Sequence, residues 1–581
     1  MSGTGIGTDK GVDDANADAN VDVIVAGSGA AGMSAALSAK LAGASVLLLE
    51  KTDRIGGSTA ISGGAVWTPL NHKSAAAGHP DDHDKVWTYL MATVGAAGSE
   101  AMLRRYLEAG PQMIEALERD TALRLTARTF SPDYYPDRPG AAMGGRSLDP
   151  DAFDGRLLGK HFSELRDPLP EFVVLGGMMV NLTDARHLLN VTKSFESWKH
   201  GMKLVIRFFA DRLRGYHRGT RLLLGNALAA RLFRSVLDVG IPYRLNAGVR
   251  ELIVEGGEVV GVRIGNADGS VEALRARKGV ILATGGFPWD ADAREALYPK
   301  PTGPWSMSPQ ANAGDGIRIA QLAGAARGTD HASPAFWAPI SILEKPDGTT
   351  VRYPHLVWDR AKPGLIAVNS AGRRFVNESN SYHEFVLGMY RSHKEVPTFP
   401  AFLVCDSDFI QRWGLGLALP GGRPREHLVS AGYLVTSDSL RALAAQLGID
   451  ADALAASVRQ MNEAAVSGVD NAFGKGSTEY NRYLGDGDHK PNPCLGPIAK
   501  APFYAVRVVA GDIGTAAGIV CDGEARALDA QGAVIPGLHV AGNDMQSVMG
   551  GEYPAPGITL GPALTFGWVA GRAAAGRAQT I

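Results

Sequence analysis

Cysteine is scarce in this chain. Cys405, Cys494 and Cys521 are scattered and show no C-x-x-C spacing. That excludes a disulfide framework and a cysteine metal cluster, so no metal is expected, and it suits a reducing, cytoplasmic compartment. Charge of one sign is also missing: 58 basic against 60 acidic side chains leave a net −2. Nucleic acid is therefore not expected as a partner. No run of 18 or more apolar residues occurs, so no membrane-spanning helix is expected. Residues 1–20 carry neither a basic n-region nor an apolar h-region, which excludes a secretory signal. Rich in Gly, Asp and Ala, this stretch is expected to be a disordered tail.

Glycine, by contrast, is abundant, with 72 in 581 residues. The length calls for more than one large unit. The most ordered pattern starts at Val23-Ile24-Val25-Ala26, which reads as a buried parallel strand. It runs into Gly27-Ser28-Gly29-Ala30-Ala31-Gly32, a G-x-G-x-x-G turn. A small-residue helix is expected over Met33–Ala42, then a second strand over Ser45–Leu49 that ends in Glu50. Gly27 makes the tight turn, Gly29 lets a pyrophosphate approach the backbone, and Gly32 lets helix and strand pack closely. The helix N-terminus offers N–H groups and a positive dipole end to phosphates. Glu50 stands where an acid accepts hydrogen bonds from ribose hydroxyls.

The next stretch, Lys51 to Gly64, carries Gly56-Gly57-Ser58-Thr59 and Ser62-Gly63-Gly64. It resembles the second flavin-contacting segment of the fumarate reductase/succinate dehydrogenase flavoprotein superfamily. The strand Val280 to Ala283, closing on Thr284-Gly285-Gly286-Phe287, is similar to that superfamily's A-T-G-G-F segment. Gly537 to Asp544 resembles its C-terminal cofactor segment. The resemblance implies an α/β fold: a Rossmann-like FAD-binding domain at 21–287 and 511–581, interrupted by an inserted α+β substrate domain at 288–510. It implies FAD held by Gly27, Gly29, Ala31, Gly32, Glu50 and Lys51 in the first segment. Gly57, Ser58, Thr59, Ser62, Gly63 and Gly64 follow in the second. Val249, Ala283, Thr284, Gly285, Gly542, Asn543, Gly557 and Leu560 complete the expected set. No His occurs in the second segment, so the FAD is expected to be non-covalent. No second G-x-G-x-x-G follows a strand, which leaves no NAD(P)H site and sends electrons to a quinone or another external carrier.

Near the end stands Glu552-Tyr553-Pro554-Ala555-Pro556-Gly557, leading to a terminal helix. This resembles the Y-P-x-P-G segment of the 3-ketosteroid 1-dehydrogenases, which implies 1(2)-dehydrogenation of a 3-ketosteroid or a similar apolar cyclic ketone. Such a reaction removes a proton and a hydride from neighbouring carbons. It needs hydrogen-bond donors on the ketone oxygen and a base on the proton. By the resemblance, Tyr553 and the Gly557 N–H are the donors. Tyr382, in Asn377-Glu378-Ser379-Asn380-Ser381-Tyr382, is the base, and Tyr134 supports it, with Tyr135 adjacent. A tyrosine base is expected to have its pKa lowered toward the working pH. The alternative is a fumarate-reductase-like ene-reductase. Gly511 to Gly518 keeps Thr515 but no His beside it, so a dicarboxylate clamp is missing.

Asp81 to Glu118 is expected to form a helical surface layer, and Val249 to Ile264 a strand–turn–strand. From Trp198 to Val239, Lys and Arg are interleaved with Leu204-Val205-Ile206, Phe208-Phe209 and Leu222-Leu223-Leu224. This is a basic amphipathic helical pattern. It is read either as a solvated face over a core or, over 198–234, as a membrane-surface contact admitting a lipophilic substrate.

Overall fold

The computed structural model describes residues 20–266 and 268–576. The expected tail, residues 1–19, lies outside them, and Asn20 already opens the first strand. Asn20–Ala26 is apolar because both its faces are covered, with Val23, Ile24 and Val25 wholly buried. It pairs in parallel with Val46–Leu49 on one side and with Val271–Leu282 on the other. Glu258–Gly265 and Gly248–Glu255 extend the sheet as the antiparallel pair read from sequence. Val534–Val540 returns from far along the chain and pairs in parallel with Val280, Ile281 and Leu282.

The carboxyl ends of these parallel strands carry Gly27, Glu50, Ala283 and Ala541, so the crevice outside them is the place for a ligand. The first helix runs over Ala30–Leu41, three residues earlier than expected, because the last residues of the glycine turn already belong to it and Gly29 is its N-cap. This helix has no polar face. It is sandwiched between the sheet and the terminal helix Leu560–Ala574, which is buried nearly throughout. A Cβ at Gly32 would sit 1.8 Å from the Gly27 carbonyl oxygen, so the turn closes only around glycine.

A second sheet is antiparallel, in the order Thr350–Pro354, Ala335–Glu344, Phe503–Thr515, Ala401–Cys405 and Leu365–Val368. Leu434–Ser437 also pairs with Phe503–Thr515. That long strand crosses the expected boundary at 510/511, so the inserted unit is proposed to end at Thr515. The helix Tyr382–His393 packs on Ala335–Glu344. The buried carboxylate of Asp544 clasps the point where the chain leaves the first sheet. It accepts from the Thr284 N–H (2.5 Å), the Thr284 hydroxyl (3.0 Å) and the Gly286 N–H (2.8 Å).

The helical layer expected over 81–118 is two helices, His83–Thr93 and Glu100–Asp120. The basic stretch is not one amphipathic surface. Phe195–Leu213 is a helix with an exposed apolar edge, whereas Leu224–Asp238 is a core helix whose Ala227, Leu228, Leu232, Phe233 and Val236 are wholly buried. Arg218, read as part of the basic face, is buried and paired with Asp167 at 2.7 Å. Arg221 pairs with Asp184 at 2.8 Å.

Gly32→Val is expected to lower the denaturation midpoint in urea by an amount equivalent to at least about 1–3 kcal/mol, the range for overpacking a closed site. Equilibrium unfolding followed by tryptophan fluorescence measures it.

Candidate active site

One cavity of about 1,610 Å³ runs from the first glycine turn to the Tyr553 segment. Every expected cofactor residue except Gly32 lines it, and so do Tyr134, Tyr382, Tyr553 and Gly557. Gly32 instead serves the packing of the turn.

The nucleotide end is assembled from segments that hold one another. Thr59 Oγ accepts from the Ala30 N–H at 2.9 Å, which ties the second glycine segment to the start of the first helix. Glu50 accepts from the Ser28 N–H and hydroxyl through one oxygen, and from the Thr52 N–H and hydroxyl through the other. The acid read as a ribose acceptor therefore also fastens the turn beside it. Lys51 pairs with Asp315 at 2.6 Å, and Asn312 donates to the Ser58 hydroxyl at 3.0 Å. These two contacts reach across from the residues that follow the A-T-G-G-F segment.

Do these residues fit FAD? A Cβ built on Gly29 meets only the Thr59 hydroxyl at 3.8 Å, and one on Gly63 meets nothing within 4 Å. The space beside both belongs to a ligand rather than to protein. Arg166 lines the same cavity, and its buried Nε has no partner among the described residues. A pyrophosphate anion is the chemistry that such a donor and a helix N-terminus accept. The residues fit.

At the other end three phenols meet. The Tyr134 hydroxyl donates to Tyr382 at 3.0 Å, and the Tyr382 hydroxyl donates to Tyr553 at 2.8 Å. All three side chains are buried, and the Tyr134 and Tyr553 rings stack with centroids 5.4 Å apart. Each is locally fixed. Tyr382 is the first residue of its helix, behind Ser381, whose hydroxyl accepts from the Glu384 N–H. Tyr134 sits in a loop locked by Asp133. That carboxylate accepts from Trp67 Nε1, the Ala142 N–H and Arg146, and Arg146 is also forked onto Asp81. The Tyr134 N–H and the Tyr89 hydroxyl both donate to the Pro554 carbonyl, at 2.8 and 2.6 Å, so the loop grips the residue after Tyr553. The neighbouring Tyr135 turns away and donates to Glu384 at 3.0 Å.

Gly557 has φ +101, and a Cβ there would lie 2.6 Å from the Trp67 nitrogen. Its carbonyl accepts from the Trp67 N–H, while its own N–H has no protein acceptor among the described residues. Burial pushes the hydroxyls of Tyr382, Tyr134 and Tyr553 well above the usual tyrosine range. The expected lowering at Tyr382 is thus not supplied by the protein alone. Desolvation is the largest cause, the charge and hydrogen bond of Tyr134 add to it, and the contact with Tyr553 opposes it.

Two further residues of the site carried no local signal. Tyr480 joins the cluster, with its ring centroid 4.7 Å from that of Tyr134. His383 follows the proposed base, lies against Tyr553 at 5.7 Å, and accepts the Trp337 N–H through Nδ1. Burial pulls His383 down to about 3, so it is neutral. A Ser341–His355–Asp359 array elsewhere in the same unit is closed upon itself. His355 bridges Asp359 at 2.6 Å and Ser341 at 2.8 Å, and the serine hydroxyl is shared with Tyr433 at 2.6 Å. With all three side chains buried it offers no nucleophile to the cavity.

Comparison with known proteins agrees with this geometry. Residues 22–560 match the family model of the FAD binding domain. The chain is 37% identical to a 3-oxosteroid 1-dehydrogenase of Mycobacterium tuberculosis, over 91% of this chain and 93% of that protein. It is also 37% identical to a 4-oxocyclohex-2-ene-1-carboxylate 5-dehydrogenase of Sinomonas cyclohexanicum, over 91% and 89%. The crystal structure of a 3-ketosteroid delta1-dehydrogenase from Sterolibacterium denitrificans, in complex with 1,4-androstadiene-3,17-dione, superposes with a TM-score of 0.89 at 39% identity. That match covers 96% of this chain and 100% of the other.

Gly29→Val is expected to purify folded but colourless, because a Cβ there meets only the Thr59 hydroxyl at 3.8 Å and the side chain fills the space beside the turn. Absorbance at 450 nm per chain, with circular dichroism as the folding control, checks it.

Proposed function

The chain belongs to the 3-oxosteroid 1-dehydrogenase branch of the FAD-binding flavoproteins, and from that premise we propose that it introduces a 1(2) double bond into a 3-ketosteroid. In this reading Tyr382 removes the proton next to the ketone, and Tyr553 and the Gly557 N–H hold the ketone oxygen. The observation that carries it is the buried chain of hydroxyls, Tyr134 to Tyr382 to Tyr553, at the end of the cavity that begins at the FAD turn. FAD, when bound, supplies the hydride acceptor. The protein's part is to place a base and two donors and to exclude water. As negative charge grows on the ketone oxygen, a phenol O–H and a glycine N–H strengthen their bonds to it, which acidifies the neighbouring C–H. Tyr134, whose hydroxyl donates to Tyr382, is the proposed support that holds the base in place. Electrons are proposed to leave for a quinone or another external carrier.

A ring carrying a carboxylate, the class named for the Sinomonas relative, is the weaker reading. Arg128 is a cation on the cavity wall near Tyr134. Its fork is filled by Asp149, with Nε at 2.9 Å and an Nη at 2.7 Å. Part of the remaining wall is apolar, with Leu188, Val191, Met202 and Val205 from the helices Leu182–Leu189 and Phe195–Leu213 and the residues between them, while Glu171, Asn181 and Arg423 also line the cavity.

That second helix also bears on access. Phe195, Ile206, Phe209 and Leu213 are exposed on it, at 77%, 61%, 55% and 90%, while Met202 and Val205 line the cavity. Lys199, Lys203 and Arg207 stand among them. The helix is proposed to rest on an anionic membrane surface and to admit a lipophilic ketone from it. Among the described residues no helix is long and apolar enough to cross a membrane.

Two outcomes are expected. Tyr382→Phe and Tyr553→Phe each lose about 10²–10⁴-fold in turnover of 4-androstene-3,17-dione with a dye acceptor while keeping FAD. Tyr135→Phe stays within about twofold, and turnover rises with pH because the base works as the anion of a phenol whose pKa burial has raised. Turnover of 4-oxocyclohexanecarboxylate but not of the steroid would transfer the assignment to the small ketone. In the second test, the protein co-sediments with anionic vesicles at low salt and Ile206→Asp/Phe209→Asp does not. Absence of binding by the unmodified protein removes the membrane reading.

A further inference from the structure

Arg360 is a buried cation that the base-and-donor scheme leaves unused. It is 2% exposed, and its guanidinium donates only to carbonyls: His355 at 2.7 Å, Leu356 at 2.7 Å, Glu378 at 2.7 Å and Asn380 at 3.0 Å. The Phe385 ring lies 5.1 Å away. Among the described residues no carboxylate oxygen lies within 4 Å of its guanidinium, unlike other buried guanidiniums of the molecule. Arg146 is paired with Asp81 and Asp133, Arg294 with Asp512, and Arg374 with Glu378 and Asp470. The two acids nearest Arg360 in the fold are engaged elsewhere, Asp359 by His355 and Glu378 by Arg374 and Lys475. A buried charge satisfied only by neutral dipoles is unfavourable to keep, and its positive potential persists in the surrounding low-dielectric interior.

Two of its four carbonyls, Glu378 and Asn380, belong to the turn that leads into Ser381 and Tyr382. On the side of the tyrosines stands Tyr480. Its hydroxyl is buried on the cavity wall, with its ring beside that of Tyr134. Burial raises Tyr480 above the usual tyrosine range, and the charge of Arg360 is the strongest influence opposing that rise. The other groups around the cluster do not supply a free positive charge. Arg128, near Tyr134, is taken by Asp149. His383 is neutral. Glu384 and Glu552 lie near Tyr135, with Arg138 over its ring. Tyr134 and Tyr553 are phenols.

Resting on the assignment of Tyr382 as base, we propose that Arg360 is a positioning residue that sets the ionisation of Tyr382. Its charge, with no carboxylate within 4 Å among the described residues, favours an anion on Tyr382, and its bonds to the Glu378 and Asn380 carbonyls hold the turn from which Tyr382 projects. Loss of a nearby positive charge disfavours an anion, so its removal moves the acidic limb of the rate profile to higher pH.

The test uses FAD-loaded protein, 4-androstene-3,17-dione and a dye acceptor, with kcat and KM measured across pH. Arg360→Gln is expected to shift the acidic limb of kcat upward by about one pH unit or more, with about a tenfold loss at neutral pH and KM little changed. Arg360→Lys keeps the charge and loses the fork, and its limb is expected within about 0.3 units of the parent. An unmoved limb in FAD-loaded Arg360→Gln, or a shift in Arg360→Lys as large as in Arg360→Gln, overturns the proposal. If Arg360→Gln yields no FAD-loaded protein, a limb moved by about one pH unit in Arg360→Lys overturns it. Tyr382→Phe keeps the two readings apart. Turnover surviving in it removes the base and with it the role of Arg360. A dead Tyr382→Phe beside an unmoved Arg360→Gln removes the role of Arg360 alone.

Discussion

The Tyr382 and Tyr553 hydroxyls lie 2.8 Å apart although 171 residues separate them in the chain. Three distant pieces of structure must be in register for that contact to exist. Tyr382 rides on a helix packed against the second sheet, and Tyr553 leads into the terminal helix of the first. Tyr134 arrives on a loop that the Arg146, Asp81 and Asp133 ion pairs hold shut. The Pro554 carbonyl, accepting from both Tyr134 and Tyr89, is the joint between that loop and the terminal segment. A slip of a fraction of a hydrogen-bond length in any of these separates the phenols, so the packing of two sheets answers to one polar contact.

The two ends of the cavity place opposite demands on the protein. At the nucleotide end, free N–H groups and an unpartnered Arg166 nitrogen favour negative charge. At the tyrosine end, burial disfavours it, and all three phenols are held as neutral acids. A base there becomes ionised only if something restores what desolvation removes. The contact with Tyr553 does part of this. In the inserted unit, the Arg360 guanidinium leans on the turn before Tyr382.

What could be read from the sequence was what is local in it. Gly27 to Gly32, Glu50 and the 57–64 segment form one continuous run, and each residue type there has one conformational or chemical use. Their neighbours on the cavity wall follow from that. Tyr382 and Tyr553 were legible because short segments around them carry a recognisable order of residues. Tyr480 and Arg360 have no such surroundings, and only folding brings them to Tyr134 and to the Tyr382 turn. The basic stretch after Trp198 misled for a physical reason. Arginine spacing looks the same whether the guanidinium meets water or a buried aspartate, and Arg218 meets Asp167. The strand Phe503–Thr515 likewise runs through a glycine that reads as a boundary, because Gly511 is a place where Ile340 presses close.

A row of phenols has a direction. Each holds one proton, and Tyr134 passes its bond to Tyr382, which passes its own to Tyr553. The last proton in the row is therefore the one left over for the cavity. Reversing the row would require Tyr553 to point inward, leaving an acceptor rather than a donor facing the ligand. In this order the Tyr553 proton is left for an acceptor in the cavity, and a ketone oxygen is one such acceptor.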